Sequence, residues 1–393
     1  MRAVRTVDGE FTVVEVDEPD PSDSEVVVDI AASGICGSDL HLQGFGIQVT
    51  FGHECAGHLA DGTPVAIQPL MHCGACDRCL ADQPHLCRNG SGTMYGIARD
   101  GGMADRLVVD ASCLIPLPDG VPVADACLVE PLAVAQHAAN SAGAEPGQRV
   151  LVVGGGMIGL ACVATFRAAG ADGDRSARHD HQVAAGERLG AGTSATGEYD
   201  IVVDAAGTGS AGATALDHAR PGAVLSVPAV YWEPLTIPNA TTLVVKEVRM
   251  QPSYTYGHHH GVREVDEAAA LLGDCPELAE AVITHRFGLD DAPEAFRVAA
   301  DIIKPYVSDR THWIIRHHGV FQGYYYFHHL GGDRDAREAF REHQWFDDCS
   351  AFCHEYDQNC FDPAYDDLPL EEFRPLAEEV FRRPSRFEMV VLA

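Results

Sequence analysis

A chain of 393 residues, 46% of them hydrophobic, can bury more than one core and sets an expectation of two or three domains. Its formal charge of −31 excludes a general attraction to nucleic acid or to an anionic membrane surface, leaving small molecules and other subunits as partners. No apolar run follows basic residues at the N-terminus, so a cytoplasmic protein is expected, whose thirteen cysteines are thiols and metal ligands before they are disulfides.

Residues 1–140 carry short Val/Ile runs broken by Gly, Pro and Asp, such as Glu25 to Ala31 and Gly62 to Ile67, and are expected to be β-rich. Within them GICGSDLH supplies Cys36, Ser38, Asp39 and His41, and FGHE supplies His53 and Glu54. A lone cysteine or histidine is unremarkable. Together, however, a thiolate, an imidazole and a carboxylate can hold zinc and still leave a position open to a water or a substrate oxygen, as catalytic zinc requires.

Cys73, Cys76, Cys79 and Cys87 follow in the pattern C-x2-C-x2-C-x7-C, inside a loop with Gly74 and Pro84. Four thiolates close a tetrahedral shell around zinc with no open position, so this site is expected to be structural. An iron-sulfur cluster is the alternative, although ferredoxins usually place a proline after the last ligand and here Arg88 follows. Further on, VEPLAVAQHA sets Glu130 at the start of an apolar helix, either near the same catalytic metal or simply as an acid favoured by the helix dipole.

From about residue 145 the pattern changes to alternating strands and helices. The run Arg149 to Val153 reads as a buried strand, Ile158 to Ala169 as an apolar helix and Asp200 to Asp204 as a further strand, which implies a parallel sheet with helices on its faces. Between the first strand and helix, Gly154, Gly156 and Gly159 form G-x-G-x-x-G, with Met157 and Ile158 inside it. Such a turn lets a pyrophosphate approach the backbone at a helix N-terminus.

GICGSDLH, GHE, the cysteine cluster, EPLAV and the glycine turn stand in the order seen in zinc-dependent medium-chain dehydrogenases, and the chain resembles that family over residues 1–300. It is most similar to the polyol and threonine dehydrogenase branch, because Glu130 stands where simple alcohol dehydrogenases carry a cysteine ligand. The resemblance implies an α/β protein. A GroES-like catalytic domain would span 1–140, with part of 275–300 returning to it, and a Rossmann doubly wound sheet binding NAD(P) would span 141–274. It implies catalytic zinc on Cys36, His53 and Glu54, with Glu130 as a fourth ligand or a water-bridged neighbour.

It further implies hydride transfer between a secondary alcohol or polyol and the nicotinamide, with Ser38 taking the hydroxyl proton and passing it toward His41, in a homo-oligomer, dimer or tetramer. Asp204 to Thr208, DAAGT, is similar to the family's loop near the nicotinamide ribose, which makes Ala206, Gly207 and Thr208 cofactor contacts. Two loops depart from the family. Only eleven residues separate His41 from His53, and Ala66-Ile67-Gln68-Pro69 arrives early after Glu54, so the substrate is the least transferable property.

The family's spacing puts the residue that meets the ribose hydroxyls at Ala177, followed by Arg178. An arginine there can pair with a 2′-phosphate, which favours NADP over NAD. The supporting stretch Ala171 to Ala177, ADGDRSA, is too polar for a central parallel strand.

Past residue 300 the chain continues in a mainly α, aromatic and histidine-rich segment that resembles the second half of an HD-domain metal protein, with His318, or its neighbour His317, and Asp357 as implied ligands. The first half of such a domain, with its paired His-Asp, is absent. A packing or dimerisation appendage is therefore expected in 300–393, with HD-type hydrolase or oxygenase activity as the alternative, and its many aromatics need a core or a partner to cover them.

Overall fold

The β-branched runs of the first 120 residues pair into antiparallel structure. β1 (Arg2–Val7) and β2 (Glu10–Glu15) form a hairpin. β3 (Glu25–Gly34), β4 (Glu54–His58), β5 (Pro64–Ile67), β6 (Arg106–Asp110) and β7 (Leu114–Pro116) form a five-stranded sheet in the order β6-β3-β4-β5-β7. Val28, Val65, Ile67, Leu107 and Val109 alternate onto one face of it and bury Cys55, Tyr95 and Cys113. Two short helices, α1 (Gly37–Gln43) and α2 (Asp77–Leu80), interrupt the connections.

This computed structural model describes residues 1–7, 10–43, 47–90, 93–177, 180–193, 195–231, 237, 240–300, 309–326 and 333–354. The chain divides into two units, Met1–Phe296 and Arg297–Ala393.

α3 (Val129–Ala142) carries the chain out of the antiparallel sheet and stops at Gly143, whose φ of 69° gives the left-handed cap that ends many helices. A five-stranded parallel sheet follows, built from β8 (Arg149–Val153), β9 (Asp172–Ser176), β10 (Tyr199–Asp204), β11 (Ala219–Val227) and β12 (Arg249–Pro252) in the order β12-β11-β10-β8-β9. Its intervening helices are α4 (Met157–Ala168), α5 (Asp180–Arg188), α6 (Gly209–His218) and α7 (Ala240–Val245). A small hairpin, β13 (His258–His259) and β14 (Val262–Arg263), precedes α8 (Glu264–Asp274), α9 (Glu277–Val282) and α10 (Ala292–Ala300).

Leu132, Ala135 and Ala139 of α3 share one core with Leu160, Val163 and Phe166 of α4 and with Val265, Ala268 and Leu272 of α8. The alanines let α3 lie close to both neighbours, so the antiparallel and parallel halves meet through a dry core. Near the end of this unit Phe296 stacks on Phe11 with ring centroids 3.5 Å apart and planes 8° apart, and Asp290 pairs with Arg2 at 2.8 Å.

The polar stretch before Ala177 does form a strand. β9 pairs with β8 from Arg149↔Asp172 to Val153↔Ser176, but it lies at the edge of the sheet, with a single bridge, Asp174↔Gly192, on its outer side. An edge strand tolerates polar side chains that a central one does not. Asp174 takes the Tyr199 hydroxyl at 2.7 Å, and the buried Arg175 guanidinium donates to the Gly154 carbonyl at 3.1 Å.

In the second unit α11 (Asp309–Tyr326) and α12 (Phe346–Phe352) bury Trp313, Phe321, Phe346, Cys349 and Cys353 against one another. Trp313 stacks on His343 at 4.1 Å and on His317 at 4.4 Å. The aromatics thus make a core of their own within this segment.

Candidate metal and cofactor sites

Cys36 immediately precedes α1, and His53 immediately precedes Glu54, the first residue of β4. The β3–β4 pairing sets Gly34 opposite Glu54 and so brings the two segments together. One thiol sulfur, one imidazole nitrogen and one carboxylate oxygen of Cys36, His53 and Glu54 lie within 4.8 Å of one another. Two glycines make the approach possible. A Cβ on Gly34 would stand 2.2 Å from Glu54 Oε2, and Gly52, just before His53, has a φ of 99° with the Met103 amide 2.6 Å from where its Cβ would be.

The electrostatics of this group suit a cation. Burial, and then the Glu54 carboxylate, push the Cys36 thiol up, while burial followed by Glu130 raises Glu54 to about 8. Burial alone would lower His53, but Asp39 and Cys36 outweigh it and hold the imidazole well above its usual range. A half-buried thiol and the buried carboxylates of Asp39, Glu54 and Glu130 around one imidazole are what a divalent ion would relieve, and the donor set is one that zinc accepts.

Asp39 in the first turn of α1 is fully buried; its Oδ2 accepts the Cys36 amide at 3.0 Å and its Oδ1 lies 3.4 Å from His53 Nδ1. The two atoms form no hydrogen bond at this separation, and zinc taken through the other ring nitrogen would leave Nδ1 to Asp39. Glu130, in the first turn of α3, is not one of the three clustered donors. It is buried and close enough to act on His53 and Glu54, raised by that burial, with the buried Tyr256 phenol beside it. Ser38 lies in the first turn of α1, half-buried. The backbone of His41 belongs to the same helix, but its side chain lies outside the described residues, as do Arg178, the His318 side chain and Asp357.

Cys73, Cys76, Cys79 and Cys87 gather around α2, with sulfurs 4.0 Å apart for Cys73–Cys79, 3.5 Å for Cys76–Cys79 and 4.0 Å for Cys76–Cys87. Zinc-sulfur bonds of about 2.3 Å in a tetrahedron put the sulfurs about 3.8 Å apart, which these distances match. An iron-sulfur cluster, with each thiolate on a different iron, would need a wider set. The lobe is tied down at both ends. Asp77 pairs with Arg88 at 2.5 Å, Asp82 with His258 at 2.5 Å, and the His85 ring lies 4.5 Å from that of His137.

The glycine turn joins β8 to α4. Gly154 has a φ of 139°, and a Cβ on Gly159 would stand 2.4 Å from the Gly154 carbonyl oxygen, so the helix enters as closely as a phosphate turn demands. Met157 and Ile158 occupy the first turn of α4, half-buried. Across from it, Ala206, Gly207 and Thr208 lead from β10 into α6, where the Thr208 hydroxyl accepts the Ala211 amide at 3.2 Å. β9 ends at Ser176, and Ala177 follows at its tip.

Three side chains that matter here carry no signal in local spacing. Asp39 sits inside GICGSDLH but its service to His53 needs the fold. Tyr256 and Tyr231 lie far along the chain from Glu130 and Asp204, the acids that they face.

A GroES-like half joined to a Rossmann-type parallel sheet, with a four-cysteine lobe and a Cys-His-Glu group, is the architecture of zinc-binding dehydrogenases. The alcohol dehydrogenase GroES-like domain matches residues 22–119. L-galactonate-5-dehydrogenase of Escherichia coli is 35% identical over 168 residues, 39% of this chain and 48% of that protein. The chain spans about half the length of the curated relatives at this level of identity, for instance 52% of 2-dehydro-3-deoxy-L-galactonate 5-dehydrogenase of Pseudoalteromonas atlantica. L-idonate 5-dehydrogenase of Vitis vinifera is 28% identical over 324 residues, 70% of this chain and 85% of that one. Among solved structures, a Sinorhizobium meliloti protein assigned as a zinc-binding dehydrogenase and bound to NADP superposes with a TM-score of 0.65 at 27% identity, over 75% of this chain and 94% of its own. In domain, relatives and fold the chain is similar to the zinc-type medium-chain alcohol and polyol dehydrogenases. No helix among the described residues is long and apolar enough to cross a membrane.

Proposed function

We propose that this chain is a zinc-dependent oxidoreductase that moves a hydride between a secondary hydroxyl of a polyol or sugar acid and NADP, with NAD as the weaker cofactor. The observation that carries the proposal is the Cys36, His53 and Glu54 donor group within 4.8 Å, on the same folded unit as the glycine turn. Zinc held by these three would supply a Lewis acid that lowers the pKa of an alcohol hydroxyl. Asp39 fixes the His53 ring. Ser38 takes the hydroxyl proton and passes it toward His41, and the buried Glu130 serves as a fourth ligand or a water-bridged neighbour of the metal. The polyol or sugar-acid class rests on the relatives named L-galactonate-5-dehydrogenase and L-idonate 5-dehydrogenase. The preference for NADP rests on the β9 tip, which among the described residues offers Ser176 and Ala177, on Arg178 just beyond it in the sequence, and on the NADP-bound neighbour.

One observation favours a second reading. β9 is the outermost strand of the parallel sheet, so the adenosine side of a dinucleotide would have less wall than in a wider sheet, as in a homologue that binds nucleotide but turns over poorly. A screen of polyols and sugar acids with NADP and NAD, with zinc measured in the same sample, separates the two. The expected result is two zinc ions per chain, NADP reduction by a polyol or sugar acid, and no turnover in Cys36→Ala. Turnover that survives Cys36→Ala would overturn the scheme, and a single zinc without turnover would favour the second reading.

A further inference from the structure

Asp204, the last residue of β10, is completely buried, and a carboxylate so placed needs donors on both oxygens. Oδ1 accepts the amides of Ala206 and Gly207, each at 3.0 Å, which bends the backbone after β10 around the carboxylate. Oδ2 accepts the hydroxyl of Tyr231, from the loop after β11.

The bond joins two loops already pressed together. Gly207 has a φ of 65°, and a Cβ there would stand 2.8 Å from the Val230 carbonyl oxygen and 3.1 Å from Ala229 Cβ. On its other side the same loop abuts the glycine turn. The Ala205 amide donates to the Val153 carbonyl at 2.9 Å, and a Cβ on Gly154 would stand 3.2 Å from the Ala206 nitrogen. Residues 205–208 are thus wedged between the turn that meets a pyrophosphate and the loop that carries Tyr231.

We propose that Tyr231 is a positioning residue for the dinucleotide: through Asp204 it fixes the Ala206–Gly207–Thr208 backbone at the nicotinamide end of the cleft. This rests on the cofactor reading given above. Without the hydroxyl, Oδ2 of a buried anion has lost its donor, and the carboxylate turns toward water and takes the Ala206 and Gly207 amides with it. The loop then holds the nicotinamide half less firmly, while the glycine turn, built from β8 and α4, keeps its shape.

The test compares wild-type protein, Tyr231→Phe and Asp204→Asn, all full length and zinc-loaded, by calorimetric titration with NADP, NAD and 2′,5′-ADP and by thermal unfolding. Tyr231→Phe is expected to weaken the full dinucleotide about 10-fold, the scale of one hydrogen bond to a buried charge, while 2′,5′-ADP binds as it does to wild type. Asp204→Asn, which weakens the acceptor and leaves the phenol in place, is expected to shift affinity in the same direction and provides the reading should Tyr231→Phe not fold. Equal loss for dinucleotide and 2′,5′-ADP, or a lower unfolding temperature with unchanged dinucleotide affinity, would overturn the positioning role alone. Wild-type protein that binds neither NADP nor NAD would remove the cofactor reading, and this role with it.

Discussion

The imidazole of His137 on α3 meets the carboxylate of Glu264 on α8 at 2.8 Å, with both side chains buried. Glu264 also accepts Asn140 Nδ2 at 2.8 Å and the Gly257 amide at 2.7 Å, so one carboxylate ties the long α3 to the chain that returns from the parallel sheet. Burial pushes this carboxyl up, but His137, the Gly257 amide and Asn140 together outweigh it and hold it below its ordinary value of 4.5. The folded protein therefore binds fewer protons at this site than the unfolded chain. The stability it contributes is fully present above about pH 4.5 and is lost as the pH falls through the lower folded value. Glu264→Gln is expected to cost about 3 kcal/mol at pH 7 by breaking a buried charged network, and to flatten the fall in stability below pH 4.5. Urea unfolding of the two proteins at pH 7 and pH 4 measures both effects. An acid slope that Glu264→Gln leaves unaltered would remove the assignment.

Asp39 serves a different balance, between order and affinity. It contacts both the Cys36 amide and the His53 ring, so Asp39→Asn should leave the three donors in place but let the imidazole turn. Loss of such an outer partner typically weakens metal binding about 10- to 100-fold. Competition with a chelator, read as the zinc that remains per chain, should show one of two ions lost at lower chelator concentration than in wild type, with the cysteine-lobe ion retained.

What the sequence discloses and what it hides follow the range of each interaction. The cysteine lobe and the glycine turn are local: thiols with two or seven residues between them share one loop, and three glycines shape one turn, so spacing alone points to them. Cys36 and His53 are legible only as a pair, since the β3–β4 register brings them together. β9 is too polar for a central strand but suits the sheet edge, a place that no local pattern encodes. Tyr231, Tyr256 and Glu264 act across the fold on residues 27, 126 and 127 positions away, and a lone tyrosine or glutamate carries no mark of such a partner.

Gly34 faces Glu54 across the β3–β4 ladder with no room to spare. Gly34→Ala would set a methyl 2.2 Å from Glu54 Oε2 and 3.2 Å from its Cβ, so either the carboxylate or the strand must move. The expected cost is about 1–3 kcal/mol, the usual range for overpacking a filled site. The functional cost should be larger, because the displaced group is a proposed zinc ligand. Zinc analysis should find one ion per chain in this variant, and the thermal midpoint should drop only modestly. Two ions retained with full turnover would show that Glu54 does not hold the metal.

In the cysteine lobe the metal should govern local order more than chemistry. α2 is only four residues long and buries nothing, so the segment has little apolar area to hold it. Its order comes from the four sulfurs, the Asp77–Arg88 and Asp82–His258 pairs, and the packing of His85 on His137. The ion pairs are largely exposed and contribute little on their own. Cys79→Ser removes one ligand of four, and because ligation of such lobes is coupled to their folding, the zinc content should fall from two ions to one and the loop should open. Arg78 and Arg88 are the only basic side chains between Cys73 and Arg99 that trypsin recognises. Brief trypsin treatment should therefore cut the variant at these two sites while wild type resists. Resistance of Cys79→Ser to trypsin, with two zinc ions still bound, would show that the sulfurs do not organise the lobe. The Cys36 site draws its donors from the residue before α1 and from the entry into β4, which share no residue with the lobe, so part of the turnover should survive the loss.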